Sequence, residues 1–227
     1  MSKKGFTLAE ILITLTVIGV VAALTIPTLL QNTNQAELKT ALKRVFSDLN
    51  QATMLITNDN GGTLSGAFQN ESDFRNKYSE KMNYIKRCTA SVNEGCIGSS
   101  YYPGLDGTGT GGTDAFNVNG LILNNGAIVI LKSYSDAELY NCNHSISGSS
   151  GVFNEICGTF YIDVNGLKRP NTVGKDLFVF SITKSGAYPL GAEGTPLGIS
   201  DFTQSCNPDN QTYSWRGQGC AAKYLYE

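Results

Sequence analysis

The sequence predicts an α+β fold in which a long N-terminal helix packs on an antiparallel β-sheet and a disulfide-closed loop region ends the chain. Ile11–Leu30 is an uncharged apolar run, residues 38–56 repeat apolar side chains at helical spacing, and short strand-like segments follow from residue 120. A helix followed by several strands is the element order of a domain with helices on one face of a sheet.

The composition limits the possible functions. The chain has 227 residues, which suits one membrane segment and one globular domain. Hydrophobic residues make up 41% and charged residues 16% of the chain, so it can bury a core. The net charge is -2, whereas a nucleic-acid-binding surface is basic, so we expect no nucleic-acid partner.

The N-terminal apolar run predicts a membrane anchor. Ile11–Leu30 is long enough to cross a bilayer as a helix, since about 20 residues suffice. Lys3 and Lys4 precede it and no basic residue follows it closely, so the positive-inside rule places the N-terminus in the cytoplasm. The polar run Gln31–Gln35 follows instead of the small-residue cleavage site of a secretory signal, which favours an anchor that stays in place.

The helical pattern continues beyond the anchor with one apolar face. Lys39, Lys43 and Arg44 lie on the opposite face, where a solvated surface is expected. Asn58–Gly62 contains residues that tolerate left-handed backbone, so it should end the helix. One helix is therefore predicted over residues 6–57, first transmembrane and then amphipathic. Its apolar face after the anchor consists of Leu38, Leu42, Val45, Phe46, Leu49, Ala52 and Ile56.

A second helix and several strands are predicted next. Ser72–Arg87 has helical periodicity, with Ser72 as its N-cap. Asn124–Gly126 lies between two apolar segments, which is the pattern of a hairpin. The second helix would bury Phe74, Tyr78, Met82 and Ile85, and the predicted strands are Gly120–Leu123, Ala127–Leu131, Thr159–Asp163, Leu177–Ile182 and a short segment from about Ala187 to Pro189.

The six cysteines predict three disulfides rather than a metal centre. No CxxC pair is present and His144 is the only histidine, so a zinc site has little support. An even number of cysteines in an exported domain is typical of disulfides formed in an oxidising compartment. The sequence alone does not choose among the possible pairings. We favour the neighbour pairs, which are Cys88 with Cys96, Cys142 with Cys157, and Cys206 with Cys220.

The stretch from Gly5 to Glu10, read Gly-Phe-Thr-Leu-Ala-Glu, resembles the cleavage and methylation signature of type IV prepilins. The resemblance covers residues 1–30 and implies that a prepilin peptidase cuts between Gly5 and Phe6 and methylates the new amino group of Phe6. It divides the chain into a leader (1–5), a transmembrane and polymerisation helix (6–30), and a pilin-like globular domain (31–227) that includes the amphipathic half of the first helix.

Glu10 and Pro27 are the candidate assembly residues. A carboxylate within an apolar span costs several kcal/mol unless it is paired or lies near the interface. The resemblance implies that Glu10 pairs with the Phe6 ammonium of a neighbouring subunit, while a carboxylate that only snorkels to the membrane boundary is the alternative. Pro27 should kink the helix, and the resemblance implies that the helix loosens there in filaments. Alternatively, Pro27 marks only the end of the anchor.

The resemblance implies a structural subunit rather than an enzyme. Its expected partners are identical or related pilin subunits, the prepilin peptidase, an inner-membrane assembly platform and the membrane itself. We expect a single-pass protein of the bacterial inner membrane whose globular domain lies in the periplasm or outside and then in a filament. The most favoured class is a pseudopilin of a type II secretion-like system. The alternative is a minor pilin that binds a surface or DNA through its disulfide-closed loops, with Tyr101, Tyr102, Tyr213 and Trp215 as candidate contacts.

The stretch from Asp163 to Asp176 offers the most distinctive chemistry of the globular part. Asp163, Asn165 and Asp176 place oxygen ligands along a glycine-containing loop, which suits calcium. The spacing differs from that of an EF-hand. We therefore favour a type I′ turn at Asn165–Gly166 anchored by the two aspartates, with calcium as the alternative. No other cofactor is expected.

Enzymatic sites are not evident. His144 lies in a Ser/Gly-rich stretch without a nucleophile elbow, so a surface histidine is favoured over a hydrolase triad. Gly107, Gly109 and Gly112 form a GxGxxG pattern, but no apolar strand precedes it and no helix follows. Dinucleotide binding is therefore rejected.

Overall fold

The structure is a computed structural model, and it describes residue 5 and residues 7–88, 94–97, 102–105, 107, 120–133, 135–145, 148–195, 206–207 and 217–226. The chain divides into two compact units, residues 1–37 and residues 38–227, which are described separately. The helix α1 (Leu8–Asp59) contributes residues to both units.

The first unit contains the apolar half of α1. This part of the helix is long and apolar enough to cross a membrane, and no other helix among the described residues is. The exposed fraction of its large apolar side chains ranges from 46% for Ile11 to 78% for Leu8. The helix assignment continues through Pro27 without interruption. The predicted anchor is thus a helix that presents its apolar side chains on all sides.

The second unit is built on the amphipathic half of α1. The side chains of Leu42, Val45 and Leu49 have no exposed surface and belong to the main hydrophobic core. Phe46 stacks on Phe180 of the sheet, with ring centroids 5.3 Å apart. The predicted α+β fold, with the helix packed on a sheet, is confirmed.

A six-stranded antiparallel sheet forms the other layer of the second unit. Its strands pair in sequence order, so every strand lies beside its neighbours along the chain. The central strands β4 and β5 are buried, which places them against the helical layer. The strands are β1 (Tyr84–Cys88), β2 (Gly120–Leu123), β3 (Ile128–Ser133), β4 (Ile156–Asp163), β5 (Leu177–Thr183) and β6 (Gly186–Pro189).

The second helix is shorter than the predicted range Ser72–Arg87. The helix α2 covers Glu71–Lys81, and Asn70 rather than Ser72 caps it through its side chain. Beyond it the backbone becomes extended, and β1 pairs with β2 as an edge strand. Ile85 is 69% exposed instead of continuing the apolar stripe. The prediction was wrong here because pairing with β2 satisfies the backbone hydrogen bonds that a longer helix would have made.

Short helical elements were not predicted. The helix α3 (Asp136–Asn141) follows β3, and a 3-10 turn (Gly151–Asn154) precedes β4. The tail, predicted as a loop region, contains the helix α4 (Cys220–Tyr226), whose first residues are buried. These elements are too short for a hydrophobic period to identify them.

All six cysteines are paired as disulfides in the structure. The pairs are Cys88–Cys96, Cys142–Cys157 and Cys206–Cys220, the neighbour pairs that we favoured from the spacing. The second pair links the end of α3 to β4. The third pair links Cys206, earlier in the tail, to Cys220 at the start of α4. Four of the six cysteines (Cys142, Cys157, Cys206 and Cys220) belong to the main core, so the disulfides stabilise the loops at its edge.

Candidate functional site

The helix α1 begins with a reciprocal cap between Thr7 and Glu10. The Thr7 backbone N–H and hydroxyl donate to Glu10 Oε2 over 2.8 and 2.9 Å, and the Glu10 N–H donates to Thr7 Oγ1 over 3.3 Å. This is the geometry of a capping box, which satisfies N–H groups that the first helical turn leaves without a partner. Glu10 therefore has a structural contact within its own chain.

The cap leaves part of the Glu10 carboxylate available. Both Thr7 bonds end on Oε2, so Oε1 has no hydrogen-bond partner among the described residues. A negative charge at a helix N-terminus is favoured by the helix dipole. Gly5 is exposed and described, whereas Phe6 lies outside the described residues. Pairing of Glu10 with the Phe6 amino group of another subunit stays a prediction.

The hydroxyl groups of the apolar segment are satisfied within the helix. Each threonine hydroxyl in this part of α1 donates to a backbone carbonyl three or four residues earlier, as the Thr25 hydroxyl does to the Val21 carbonyl over 2.9 Å. Such bonds matter in a bilayer because the hydrocarbon core offers polar groups no water. The threonines that bond in this way are Thr14, Thr16, Thr25, Thr28 and Thr33.

Pro27 lies inside α1 and lacks the N–H that would bond the carbonyl of Ala23. Two hydroxyl bonds flank it, from Thr25 to Val21 and from Thr28 to the Thr25 carbonyl. Hydroxyl bonds of this kind bend helices slightly. Pro27 thus removes one bond from the backbone ladder of α1, and the loosening of the helix there in a filament stays a prediction.

The candidate calcium residues lie at the end of the β4–β5 hairpin. Asp163, the last residue of β4, is paired with Leu177 of β5, and both Asp163 and Asp176 have no exposed surface. Asp163 Oδ2 accepts a hydrogen bond from the Tyr102 hydroxyl over 3.1 Å, and Asp163 Oδ1 accepts one from the Asn165 N–H over 3.2 Å. The structure therefore brings the predicted residues together.

The second aspartate, Asp176, stabilises the part of the loop that leads into β5. Asp176 accepts hydrogen bonds from the backbone N–H groups of Asn171 and Thr172 over 2.7 and 2.6 Å. The expected type I′ turn at Asn165–Gly166 is wrong, because such a turn needs positive φ at both residues and only Gly166, at +69°, has it. Asn171 is the non-glycine residue of the loop with positive φ, at +52°.

Burial shifts the titration of both carboxyl groups of this loop. Burial, followed by the nearby Asp176 carboxylate, raises the pKa of Asp163 to about 8. Burial also raises the pKa of Asp176, although the hydrogen bonds from Thr172 and Asn171 oppose that shift. Among the described residues no three His, Cys, Asp or Glu side chains lie close enough to hold a metal ion. Any cation here would need amide or backbone oxygens as well.

His144 contacts the first turn of the short helix α3. Its Nδ1 lies 3.0 Å from Glu138 Oε1. Ser135 and Glu138 form a capping box at the start of α3, in which the Ser135 hydroxyl donates to Glu138 Oε2 over 2.7 Å. The Ser135 hydroxyl bond, followed by the His144 contact, lowers the pKa of Glu138 to about 2. The histidine thus supports a helix start.

The aromatic residues proposed as ligand contacts are mostly outside the described residues. Tyr101, Tyr213 and Trp215 fall there, as do Gly109 and Gly112 of the glycine pattern. Tyr102 is described, has no exposed surface, and packs in a small core with Leu177. Tyr102 is therefore a core residue rather than a surface contact, which the sequence could not show because its partner Asp163 is distant in the chain.

Residues 1–26 match the family model described as the prokaryotic N-terminal methylation motif. No curated protein and no solved structure matches the chain. The matched segment contains the capped start of α1 with Glu10 and most of its apolar half. The chain therefore carries the prepilin signature of type IV pilins and pseudopilins.

Proposed function

We propose that this chain, which carries the prepilin signature, is a structural subunit of a type IV pilus-like filament and assembles through the apolar half of α1. The observation that carries the proposal is the match of residues 1–26 to the methylation motif, together with the helix that continues from it. A pilin-like subunit of this kind assembles with related subunits and is processed by a prepilin peptidase. The peptidase would cut after Gly5 and methylate Phe6.

The exposed helix gives a physical basis for assembly. Its large apolar side chains are 46% or more exposed, so the first unit lacks internal partners for them. In the membrane they would contact lipid, and in a filament they would contact neighbouring helices. Because lipid is as apolar as leucine, side-chain fit and polar pairing must supply the specificity. Glu10, with one carboxylate oxygen free of Thr7, is suited to that pairing.

The charges and the disulfides support one orientation in the membrane. Lys3 and Lys4 precede the apolar helix, which favours a cytoplasmic N-terminus. The second unit holds three disulfides, and disulfides persist in the periplasm and outside the cell. We therefore place residues 38–227 on the periplasmic side of the inner membrane before assembly.

Within this class we propose a pseudopilin of a type II secretion-like system. Glu10 argues against the minor tip subunits that lack this acid, and the β4–loop–β5 segment from Asp163 to Phe178 resembles that of secretion pseudopilins more than that of surface pilins. Such a subunit would dock on an inner-membrane assembly platform that provides the energy for extraction.

The first experiment is the intact mass and N-terminal peptide of the protein from its native membrane. We expect a chain that begins at an N-methylated Phe6. A chain that still begins at Met1 in cells with a competent prepilin peptidase would contradict the proposal. A deletion strain then separates the classes, because loss of protein secretion indicates a pseudopilin, whereas loss of surface filaments or of DNA uptake indicates a pilin.

A further inference from the structure

A surface pocket lies where three parts of the second unit meet. One wall is the outer face of α1, which contributes Arg44, Asp48 and Gln51. The other walls are the chain at the end of α2 and the turn between β2 and β3, which are joined because the Asn124 N–H donates to the Asn83 carbonyl over 3.1 Å. The pocket encloses about 180 Å³. It therefore admits one small molecule, since drug-sized ligands need about 300 Å³ or more.

The polar side chains of this pocket have unused hydrogen-bonding capacity. Arg44 and Asp48 lie one turn apart on the same face of α1, yet no ion pair joins them. Among the described residues, the side chains of these two and of Gln51 have no hydrogen-bond partner. The exposed side chains of Asn83 and Asn124 are likewise unpartnered in the described part of the chain. The walls thus combine guanidinium donors, a carboxylate acceptor and amides that both donate and accept.

The pocket also has an apolar floor and a fixed frame. Met82 and Leu123 line it and belong to the main core, with exposed fractions of only 5% and 2%. Asn125 is held in the hairpin turn, because its Oδ1 accepts a hydrogen bond from the Ala127 N–H over 3.0 Å. A site built on a helix and a hairpin of fixed geometry binds at a lower entropic cost than a site on a loose loop.

The charges of the pocket balance, which decides the class of ligand. Lys81 forms an ion pair with Asp59 over 2.7 Å, so the opposite charges of Arg44 and Asp48 remain and cancel. A phosphate or a metal ion would meet as much repulsion as attraction there. An amino-acid zwitterion would pair with both charges, but ion pairs at exposed side chains contribute little in water, and Arg44 is exposed. A neutral ligand with several hydroxyl groups uses the donors and acceptors without this limit.

We propose that this pocket binds one ring of a neutral sugar. Each sugar hydroxyl both donates and accepts hydrogen bonds, so it needs partners of both kinds. Arg44 supplies donors and Asp48 supplies acceptors, while the amides of Asn83 and Asn124 supply both. The C–H face of the ring would pack on the apolar floor, which removes apolar surface from water.

The test is saturation-transfer NMR on the full-length protein in micelles of a detergent without a sugar head group. The probes are glucose, galactose, mannose and N-acetylglucosamine. We expect at least one of them to bind saturably with a Kd of about 1 mM, as the binding energy available to so few ligand atoms implies. A maltoside detergent would compete for the pocket, which is why it is avoided.

Two variants with matched controls assign the binding to the pocket. Arg44→Ala and Asn124→Ala each remove an exposed side chain without a partner in the described chain, so the thermal midpoint should stay close to wild type. The affinity should fall about five- to tenfold, as the loss of one hydrogen bond implies. Lys43→Ala and Asn58→Ala are the respective controls, because both residues are exposed on α1 and neither lines the pocket. They should bind like wild type.

The methyl glycoside of the bound sugar distinguishes the two sources of such a ring. Unchanged affinity for the glycoside identifies a ring that belongs to a longer glycan, whereas loss of binding identifies the free monosaccharide. Both results support a sugar site.

Other outcomes overturn the proposal. Absence of saturable binding by all four sugars does so, and so does sugar binding that Arg44→Ala and Asn124→Ala retain in full. Free L-serine, titrated in the same way, tests the zwitterion. Serine binding that Arg44→Ala abolishes, without any sugar binding, overturns the choice of ligand. The proposal does not rest on the filament function, because the measurement reports only binding by this pocket of the second unit.

Discussion

Tyr78 of α2 and Thr53 of α1 meet through their hydroxyl groups, whose oxygens lie 3.1 Å apart within the core. The Thr53 hydroxyl donates its only proton to the Leu49 carbonyl over 2.8 Å, so Tyr78 is the donor in the shared bond. Tyr78 has no exposed surface, and burial raises its pKa, which keeps the phenol protonated. This bond joins the two helices at the centre of an aromatic cluster.

Replacing Tyr78 with phenylalanine should therefore destabilise the protein modestly. The change removes one buried hydrogen bond and leaves the ring packing, which should cost about 1 kcal/mol. The thermal midpoint of the full-length protein in detergent should fall by about 2–4 °C. Tyr84→Phe is the matched control, because the Tyr84 side chain is 41% exposed. Equal effects of the two changes would contradict the role assigned to the buried bond.

A second stability prediction concerns Gly158 of β4. A Cβ at this position would lie 2.7 Å from Phe74 Cζ and 3.3 Å from the Lys132 carbonyl oxygen. Gly158→Ala should therefore force the Phe74 ring to shift and cost about 1–3 kcal/mol, as overpacking does.

A double-mutant cycle, measured by urea unfolding, tests whether contact with the Phe74 ring causes the cost of Gly158→Ala. Phe74→Leu removes the ring edge, so Gly158→Ala should cost less in the Phe74→Leu background than in wild type. Additive effects of the two changes would show that Gly158 is needed for another reason.

A pH prediction follows from Glu138. The hydrogen bond from Ser135, with the His144 contact, lowers the pKa of Glu138 to about 2, below the value near 4.3 expected of an unfolded chain. The folded state therefore binds fewer protons than the unfolded state between these values. The stabilisation is fully present above about pH 5 and is lost as the pH falls towards 2.

The measurement compares the thermal midpoints of wild type and Glu138→Gln across this range. Wild type should be more stable near pH 6, and the difference should disappear as the pH approaches 2. Glu193→Gln, an exposed change elsewhere, serves as the control. A difference that stays constant from pH 6 to pH 2 would mean that the Glu138 charge does not support the cap of α3.

The sequence predicts the helical layer and most of the sheet because their residues carry clear periods. The apolar face of α1 has a helical period, and the hairpin at Asn124–Gly126 has its turn residues between apolar segments. The end of α2 could not be predicted in the same way. Met82 and Ile85 continue the helical spacing, while the competing interaction is the pairing of β1 with β2, which joins residues far apart in sequence.

The candidate sites are likewise predictable only where the signal is local in the sequence. Asp163, Asn165 and Asp176 stand out as a candidate cluster of oxygen-bearing side chains from their spacing along a glycine-containing loop. The burial of both carboxylates and the contact of Tyr102 with Asp163 depend on tertiary packing and give no local signal. The capping box of Thr7 with Glu10 is different, because threonine followed by glutamate three residues later is a sequence signature of a helix start.

The final prediction distinguishes the contact of Glu10 with Thr7 in the same chain from its proposed pairing with the Phe6 ammonium of another subunit. Glu10→Ala should leave cleavage after Gly5 intact but abolish filament assembly, because the new subunit would lose the acid that we propose pairs with the Phe6 ammonium. Thr7→Ala removes the two hydroxyl bonds of the cap, which costs about 1 kcal/mol at the helix start, but it keeps the carboxylate. Assembly should therefore be reduced in Thr7→Ala rather than lost. Intact mass reports cleavage, and the amount of subunit in sheared filaments reports assembly.

Thr14→Ala is the matched control for this experiment. The Thr14 hydroxyl donates only to the Ile11 carbonyl within the same helix, so its loss should leave assembly close to wild type. Filaments formed normally by Glu10→Ala would contradict pairing between subunits. If Thr7→Ala fails as completely as Glu10→Ala while both are cleaved, then Glu10 acts by ordering the first turn of α1. In that case the specificity of assembly must come from side-chain fit along the apolar helix.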